Sequence, residues 1–284
     1  MGKKKWWLLS GITYLALVIG SYSLVTGSNP LVSGELHSEN DHSEEPHESV
    51  RNQAEDEEGN NHNNEHESHN FGDSEIAIHL QHDNDMIIVD VRDMEGNAPE
   101  LVVTHEKLMH LILLSNDLED YYHFHPEKVE KGSFVQEFIL PDGHYHAFVD
   151  IKPEGKRYAV DPYEVIIGDH QDDNTIINLQ VDRELVISKS DKEVELITSN
   201  LKAGETVVLT FDLKDEMPEP YLGALGHVVI VDESVENYIH VHPKSDDSTV
   251  FEAYFPKEGI YKLWAEFKFK DEGVIVFPFV LEVK

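Results

Sequence analysis

Hydrophobic and polar positions follow three regimes along the chain. From Trp6 to about Val25 the residues are uncharged and apolar, and from Ser28 to Asn70 hydrophobic residues are sparse among Asp, Glu, Asn, Ser and His. Beyond Phe71, short runs rich in β-branched and aromatic residues recur: Ile87 to Val89, His110 to Leu114, Phe134 to Leu140, Tyr163 to Ile167, Val207 to Leu213, Val228 to Val231 and Val274 to Val283. Turn formers such as Glu95-Gly96-Asn97, Pro141-Asp142-Gly143 and Lys257-Glu258-Gly259 separate them, which predicts strands. No extended 3.6-residue period follows the first regime, so the prediction is an all-β protein of two tandem antiparallel β-sandwich domains, each of about 100 residues.

The expected organisation is a signal anchor or signal peptide over 1–27, a stalk over 28–72, a first sandwich module over 73–168, a linker over 169–175 and a second module over 176–284. Lys3, Lys4 and Lys5 precede the apolar segment, whose length of about 20 residues suits a bilayer-spanning helix. The lysines predict an inside N-terminus and an outside C-terminal region, giving a single-pass protein of the cell membrane. Val25 and Gly27 offer a weak cleavage site, so a removed signal and a secreted protein is the alternative. The stalk composition cannot bury enough apolar surface to offset its ordering entropy and predicts disorder. Its His37, His42, His47, His62, His66 and His69 stand among carboxylates, which suits either a weak collector of divalent metal or a solvated spacer.

The two modules share a repeat. His110, twelve residues, His123-Phe124-His125-Pro126 recurs 117 residues later as His227, twelve residues, His240-Val241-His242-Pro243. Leu111 to Leu114 matches Val228 to Val231, Glu119 matches Glu236, and Phe138, Gly143 and Tyr145 match Phe255, Gly259 and Tyr261 after one residue of loop is skipped. Both copies therefore carry one duplicated unit with its histidines.

Strand geometry turns the spacing into sites. Alternate residues of a strand share a face, so His123 and His125 project together, as do His240 and His242. With Ser115 to Asp120 as a hairpin loop, His110 lies opposite His125 and diagonal to His123, within reach of one ion. The same register is expected with Asp232 to Asn237 as the second loop. This predicts two metal sites, one per module: His110, His123 and His125, and His227, His240 and His242. Three imidazoles suit Cu(II), Zn(II) or Ni(II), with copper first because affinity in the divalent series peaks there and zinc second. A fourth ligand is open between water, a carboxylate, His105, His144 and His146. The competing reading is a packed, hydrogen-bonded or pH-responsive histidine cluster.

The net charge of -34 excludes nucleic acid as the expected partner, since phosphate backbones need a basic footprint. With no cysteine, disulfides, thiolate zinc sites, iron-sulfur clusters and blue-copper centres are excluded. No catalytic residue is predicted. A metal-assisted enzyme would use Glu119 or Glu236 as base, but both fall in expected exposed turns.

The segments from His-Leu-Ile-Leu-Leu through His-Phe-His-Pro, then Phe, Pro-Asp-Gly and Tyr, resemble the His-rich immunoglobulin-like or cupredoxin-like modules of bacterial extracytoplasmic proteins, some of them linked to copper or heavy-metal handling. The resemblance covers about 60 residues of each repeat and lacks the copper-ligating cysteine of true cupredoxins. It implies the fold and the location. The expected function is a membrane-anchored extracytoplasmic metal-binding protein for resistance, storage or delivery to a metal transporter. The alternative is a surface protein-interaction module with structural or pH-sensing histidines.

Overall fold

The computed structural model describes residues 74–83, 85–168, 177–239 and 241–284. The expected anchor, stalk and linker lie outside the described residues, as does His240. The chain divides into residues 1–64 and 65–284, and every described residue belongs to the second unit.

The first repeat forms β1 (Ile76–Asp83), β2 (Met86–Asp93), β3 (Leu101–Val102), β4 (His110–Ser115), β5 (Tyr121–Phe124), β6 (Glu127–Glu130), β7 (Ser133–Glu137), β8 (Gly143–Asp150), β9 (Lys152–Pro153) and β10 (Pro162–Ile167). Two antiparallel sheets, in the orders β1-β2-β7-β6 and β10-β8-β4-β5, face each other. Val89, Val91 and Phe134 of one meet Leu111, Leu113, Ala147 and Val149 of the other in a common core. The second repeat forms β11 (Val186–Lys189), β12 (Lys192–Thr198), β13 (Thr206–Asp212), β14 (His227–Asp232), β15 (Tyr238–Ile239), β16 (Val241–Pro243), β17 (Val250–Tyr254), β18 (Gly259–Phe269) and β19 (Gly273–Val283). Its sheets run β11-β12-β13-β17-β16 and β15-β14-β18-β19, around a core that includes Leu209, Phe211, Leu263, Phe267 and Phe277. The described residues are therefore all-β, in two tandem antiparallel sandwiches.

Corresponding details recur in the two copies. Tyr145 donates its hydroxyl to Pro141 O at 3.0 Å and Tyr261 to Lys257 O at 2.9 Å, the local back-bond that fixes the corner of immunoglobulin-like sandwiches. These tyrosines are the ones that the sequence repeat pairs.

A third core lies between the modules. Ile112, Leu114 and Phe148 of the first pack with Val229, Val231 and Trp264 of the second, and Tyr121 stacks on Trp264 with ring centroids 5.1 Å apart. β4 and β14 are consequently buried on both faces, one toward their own sandwich and one toward the other module. This explains their unbroken apolar sequences, since a strand with one wet face would alternate.

Candidate metal centre

The hairpin of β4 and β5 sets the site. Its register pairs Leu111 with Phe124 and Ile112 with His123, so His123 stands on the outer face of the sheet with Ile112, two residues along from His110. His125 follows on the same face, its ring 5.0 Å from that of His110 and 4.6 Å from that of His123. One nitrogen from each of His110, His123 and His125 lies within 4.8 Å of the others. Alone, this face would be a wet surface, but the second module covers it. His110 is 1% exposed, and the His123 side chain only 2%.

The second module contributes His227 and Glu266, which face each other across β14 and β18. Glu266 Oε2 stands 2.7 Å from His123 Nδ1 and 3.4 Å from His227 Nδ1, and one ligand atom from each of the three lies within 4.8 Å of the others. The His227 ring lies parallel to that of His110 at 5.6 Å. Residues of both modules thus form one buried cluster.

Hydrogen bonding fixes what the cluster can do. His123 faces the Glu266 carboxylate with Nδ1 and His110 with Nε2, whereas His110 faces the Thr104 carbonyl with Nε2 at 3.1 Å. The carboxylate and the carbonyl only accept, so each fixes an N–H on the nitrogen that meets it. In two neutral imidazoles the remaining nitrogens, His110 Nδ1 and His123 Nε2, then direct lone pairs at each other across 3.0 Å. That arrangement calls for a cation between them, either an additional proton or a metal ion. A carboxylate and a carbonyl on the far nitrogens are also what orients metal-bound imidazoles.

The electrostatics favour neutral imidazoles at two of the three positions. Burial, reinforced by His123 and His227, lowers the pKa of His110 to about 4, and burial with His123 and His110 lowers that of His125 to about 3. Burial also lowers that of His227, against the opposing pull of Glu266. For Glu266 burial acts upward, but the neighbouring His123 and His227 outweigh it and hold the carboxyl below its usual range. The buried Nε2 of His125 has no hydrogen-bond partner among the described residues.

The expectation of one three-histidine site per module requires correction. His227 joins the first set, while His242 is exposed on β16, opposite Glu252 in the far sheet of its sandwich, and His240 lies outside the described residues. The cause is the point at which the chain changes sheets. Lys128 lies opposite Phe134 and corresponds in the repeat to Ser245, yet the residue opposite Phe251 is Pro243. In the second module the strand therefore meets the far sheet in a register shifted by two residues and is paired with it already from Val241, the equivalent of Phe124, and His242 is carried with it.

Of the candidates for a further ligand, His105 lies beside the cluster, its ring 5.9 Å from His110 and 5.7 Å from His227. His146 faces away toward Asn116 Oδ1 at 3.0 Å, and His144 pairs with Ile166 on the side of β8 away from β4. Glu119 meets Lys262 at 3.3 Å, and the Glu236 backbone N–H donates to Asp232. Neither glutamate reaches the imidazoles.

Glu266 was not anticipated from the sequence. Its signal is an acid in the otherwise apolar run Leu263-Trp264-Ala265-Glu266-Phe267. The same alignment places Asp150 at its equivalent, directly opposite His110 as Glu266 is opposite His227.

Comparisons with known proteins describe relatives but no activity. The domain family described as "Domain of unknown function (DUF8832)" matches residues 75–166 and again 187–284. No curated protein matches the chain. Among solved structures, a two-domain fibronectin type III segment of chicken tenascin is 9% identical over 74% of this chain and 100% of its own, with a TM-score of 0.23. The Escherichia coli adhesin FdeC is 15% identical over 74% of this chain and 64% of its own, with a TM-score of 0.22. The Yersinia pseudotuberculosis adhesin InvE is 11% identical over 74% and 59%, with a TM-score of 0.21.

Proposed function

We propose that this chain, which belongs to the family described as "Domain of unknown function (DUF8832)" and carries that domain twice, is an extracytoplasmic metal-binding protein with one tight site between its modules. The observation that carries the reading is the 3.0 Å approach of His110 Nδ1 to His123 Nε2, with an acceptor, the Thr104 carbonyl or the Glu266 carboxylate, against the far nitrogen of each ring. A metal held by two imidazoles at about 2.0 to 2.1 Å each would need these nitrogens only a few tenths of an ångström further apart. His125 supplies a third nitrogen, while Thr104 and Glu266 orient the first two from behind. His227 stands ready as a further ligand or as a second donor to Glu266.

Metal ligands must be deprotonated to bind, and the lowered pKa values of His110 and His125 leave both neutral at pH 7. Copper is the first choice and zinc the second, because imidazole suits both and the divalent series favours copper. The N-terminal lysines and apolar segment support a membrane anchor with the modules outside. A role in metal resistance, storage or handover to a transporter follows from that placement.

A second reading is favoured by the 2.7 Å contact of Glu266 with His123, a separation typical of a charge-assisted bond. One proton held between the two facing imidazole nitrogens closes the chain Thr104, His110, His123, Glu266 in place of a metal. The modules would then form a surface interaction protein whose histidines respond to pH.

Elemental analysis and titration calorimetry separate the two. With Ser28 to Asn70 deleted, the metal reading expects one tight copper or zinc ion per chain, lost when His123 and His125 become alanine. Glu266→Gln should weaken it by roughly 10- to 100-fold through the misoriented imidazole. A protein that takes up neither ion leaves the proton-closed reading.

A further inference from the structure

The cluster is buried by both modules, and a working metal site needs a route to solvent. One edge of the cluster is bordered by a pair of equivalent turns, the first of which exposes Glu106 and Lys107 to solvent. In the first module Thr104 and Lys107 close a turn by reciprocal backbone hydrogen bonds of 2.8 and 2.9 Å, with His105 and Glu106 at φ 46° and 65°. In the second, Tyr221 and Ala224 close the corresponding turn, with Leu222 and Gly223 at φ 55° and 82°. The turns approach each other, since a Cβ on Gly223 would stand 3.8 Å from Glu106 Cγ.

The shared geometry belongs to the repeat, but the residues differ. The second module uses the position to bury Leu222, which is 4% exposed. The first places a half-buried imidazole there, in a left-handed conformation that non-glycine residues adopt uncommonly. Leu222 takes the same left-handed conformation at φ 55°, so what distinguishes the first turn is the imidazole and not the backbone. The His105 ring meets those of His110 and His227 edge-on, at 77° and 80°. Two imidazoles bound to one ion, each through a nitrogen about 2 Å from it, have ring centroids roughly 5 to 6.5 Å apart. The separations of 5.9 and 5.7 Å fall in that range for either neighbour, while His105 belongs to neither set of three whose ligand atoms lie within 4.8 Å of one another. The turn is also tied to the cluster, because the Thr104 carbonyl that orients His110 immediately precedes His105.

We propose that His105 is the exchange ligand of the site. It takes a hydrated or weakly chelated divalent copper ion from solvent, shares it with His110 or His227, passes it to the set formed with His123 and His125, and retrieves it on release. This rests on the metal-binding reading above. His105 is outside the final set, so it governs the rates of loading and unloading more than the affinity.

The test uses the full-length chain and His105→Asn, chosen because asparagine tolerates a left-handed backbone. Circular dichroism confirms that the variant is folded, and His105→Gly provides a second folded comparison. Stopped-flow mixing with one equivalent of Cu(II) measures uptake through the fluorescence of Trp264, which lies two residues from Glu266 on β18. Excess EDTA then measures release through the absorbance of the copper chelate. Both rates are expected to fall by roughly tenfold, the effect of about 1.4 kcal/mol in each barrier, while Kd changes less than about threefold. Rates equal to the parent's overturn the proposal, and so does a Kd that rises in step with faster release, which would make His105 a standing ligand. A parent that binds no Cu(II) refutes the metal-binding reading and this inference with it. A parent that binds but exchanges at the variant's rate refutes the exchange role alone.

Discussion

His110 illustrates how burial sets the chemistry of one side chain. In the unfolded chain its pKa is near 6.5, and in the native protein burial, His123 and His227 bring it to about 4. Between those values the native state binds fewer protons than the unfolded state, so stability falls as pH is lowered through the interval. The cation-free protein should lose about 3 kcal/mol from His110 between roughly pH 6.5 and pH 4. Glu266 acts in a separate window. Its lowered pKa contributes stability above the ordinary carboxylate range near 4.3, which disappears progressively on further acidification. Urea midpoints measured across this range should show both steps, and His110→Gln should reduce the upper one, to which the lowered His125 and His227 also contribute, while leaving the lower.

Strands decide which histidines can meet. β4 and β5 stay paired through Phe124, so His123 and His125 remain beside His110. Among the described residues, the corresponding segment of the second module pairs with β14 at Tyr238 and Ile239 and is bound to β17 from Val241. His242 is thereby placed on a different sheet, at an exposed position opposite Glu252. Calorimetric titration should find His242→Ala within twofold of the parent in copper affinity, whereas His125→Ala, which removes a proposed ligand, should weaken binding by at least about tenfold. Equal losses in both variants would mean that the second histidine pair also holds a site.

Docking of the modules creates the site from two incomplete halves. The face carrying His110, His123 and His125 has no carboxylate of its own opposite His123, and Glu266 arrives with β18 of the other sandwich. Trp264 anchors that contact, 2% exposed and stacked on Tyr121. Trp264→Ala should cost about 3 to 5 kcal/mol, the range for a buried aromatic truncated in a packed core. Because the same contact seats Glu266 beneath His123, metal affinity should fall with it. Denaturant unfolding and metal titration of the same variant check both effects, and a large stability loss with unchanged affinity would separate docking from the site.

Strand-forming runs, turn residues and the duplicated histidine spacing were sufficient to anticipate two sandwiches and the face shared by His110, His123 and His125. Those features are local, because β alternation and hairpin register act over a few residues. The unbroken runs Leu111 to Leu114 and Val228 to Val231 also signalled burial on both faces, although not what covered the second face. The number of clusters was beyond local pattern. Two copies with the same spacing diverge because one strand leaves its sheet two residues earlier, and that choice depends on pairing with β17. Glu266 acquires its role only when a strand from the other module is brought against His123, 143 residues away in sequence. Local alternation thus specifies which side chains share a face, while the packing of one sheet against another determines which face is buried, what charge meets it and which of the described histidines come together.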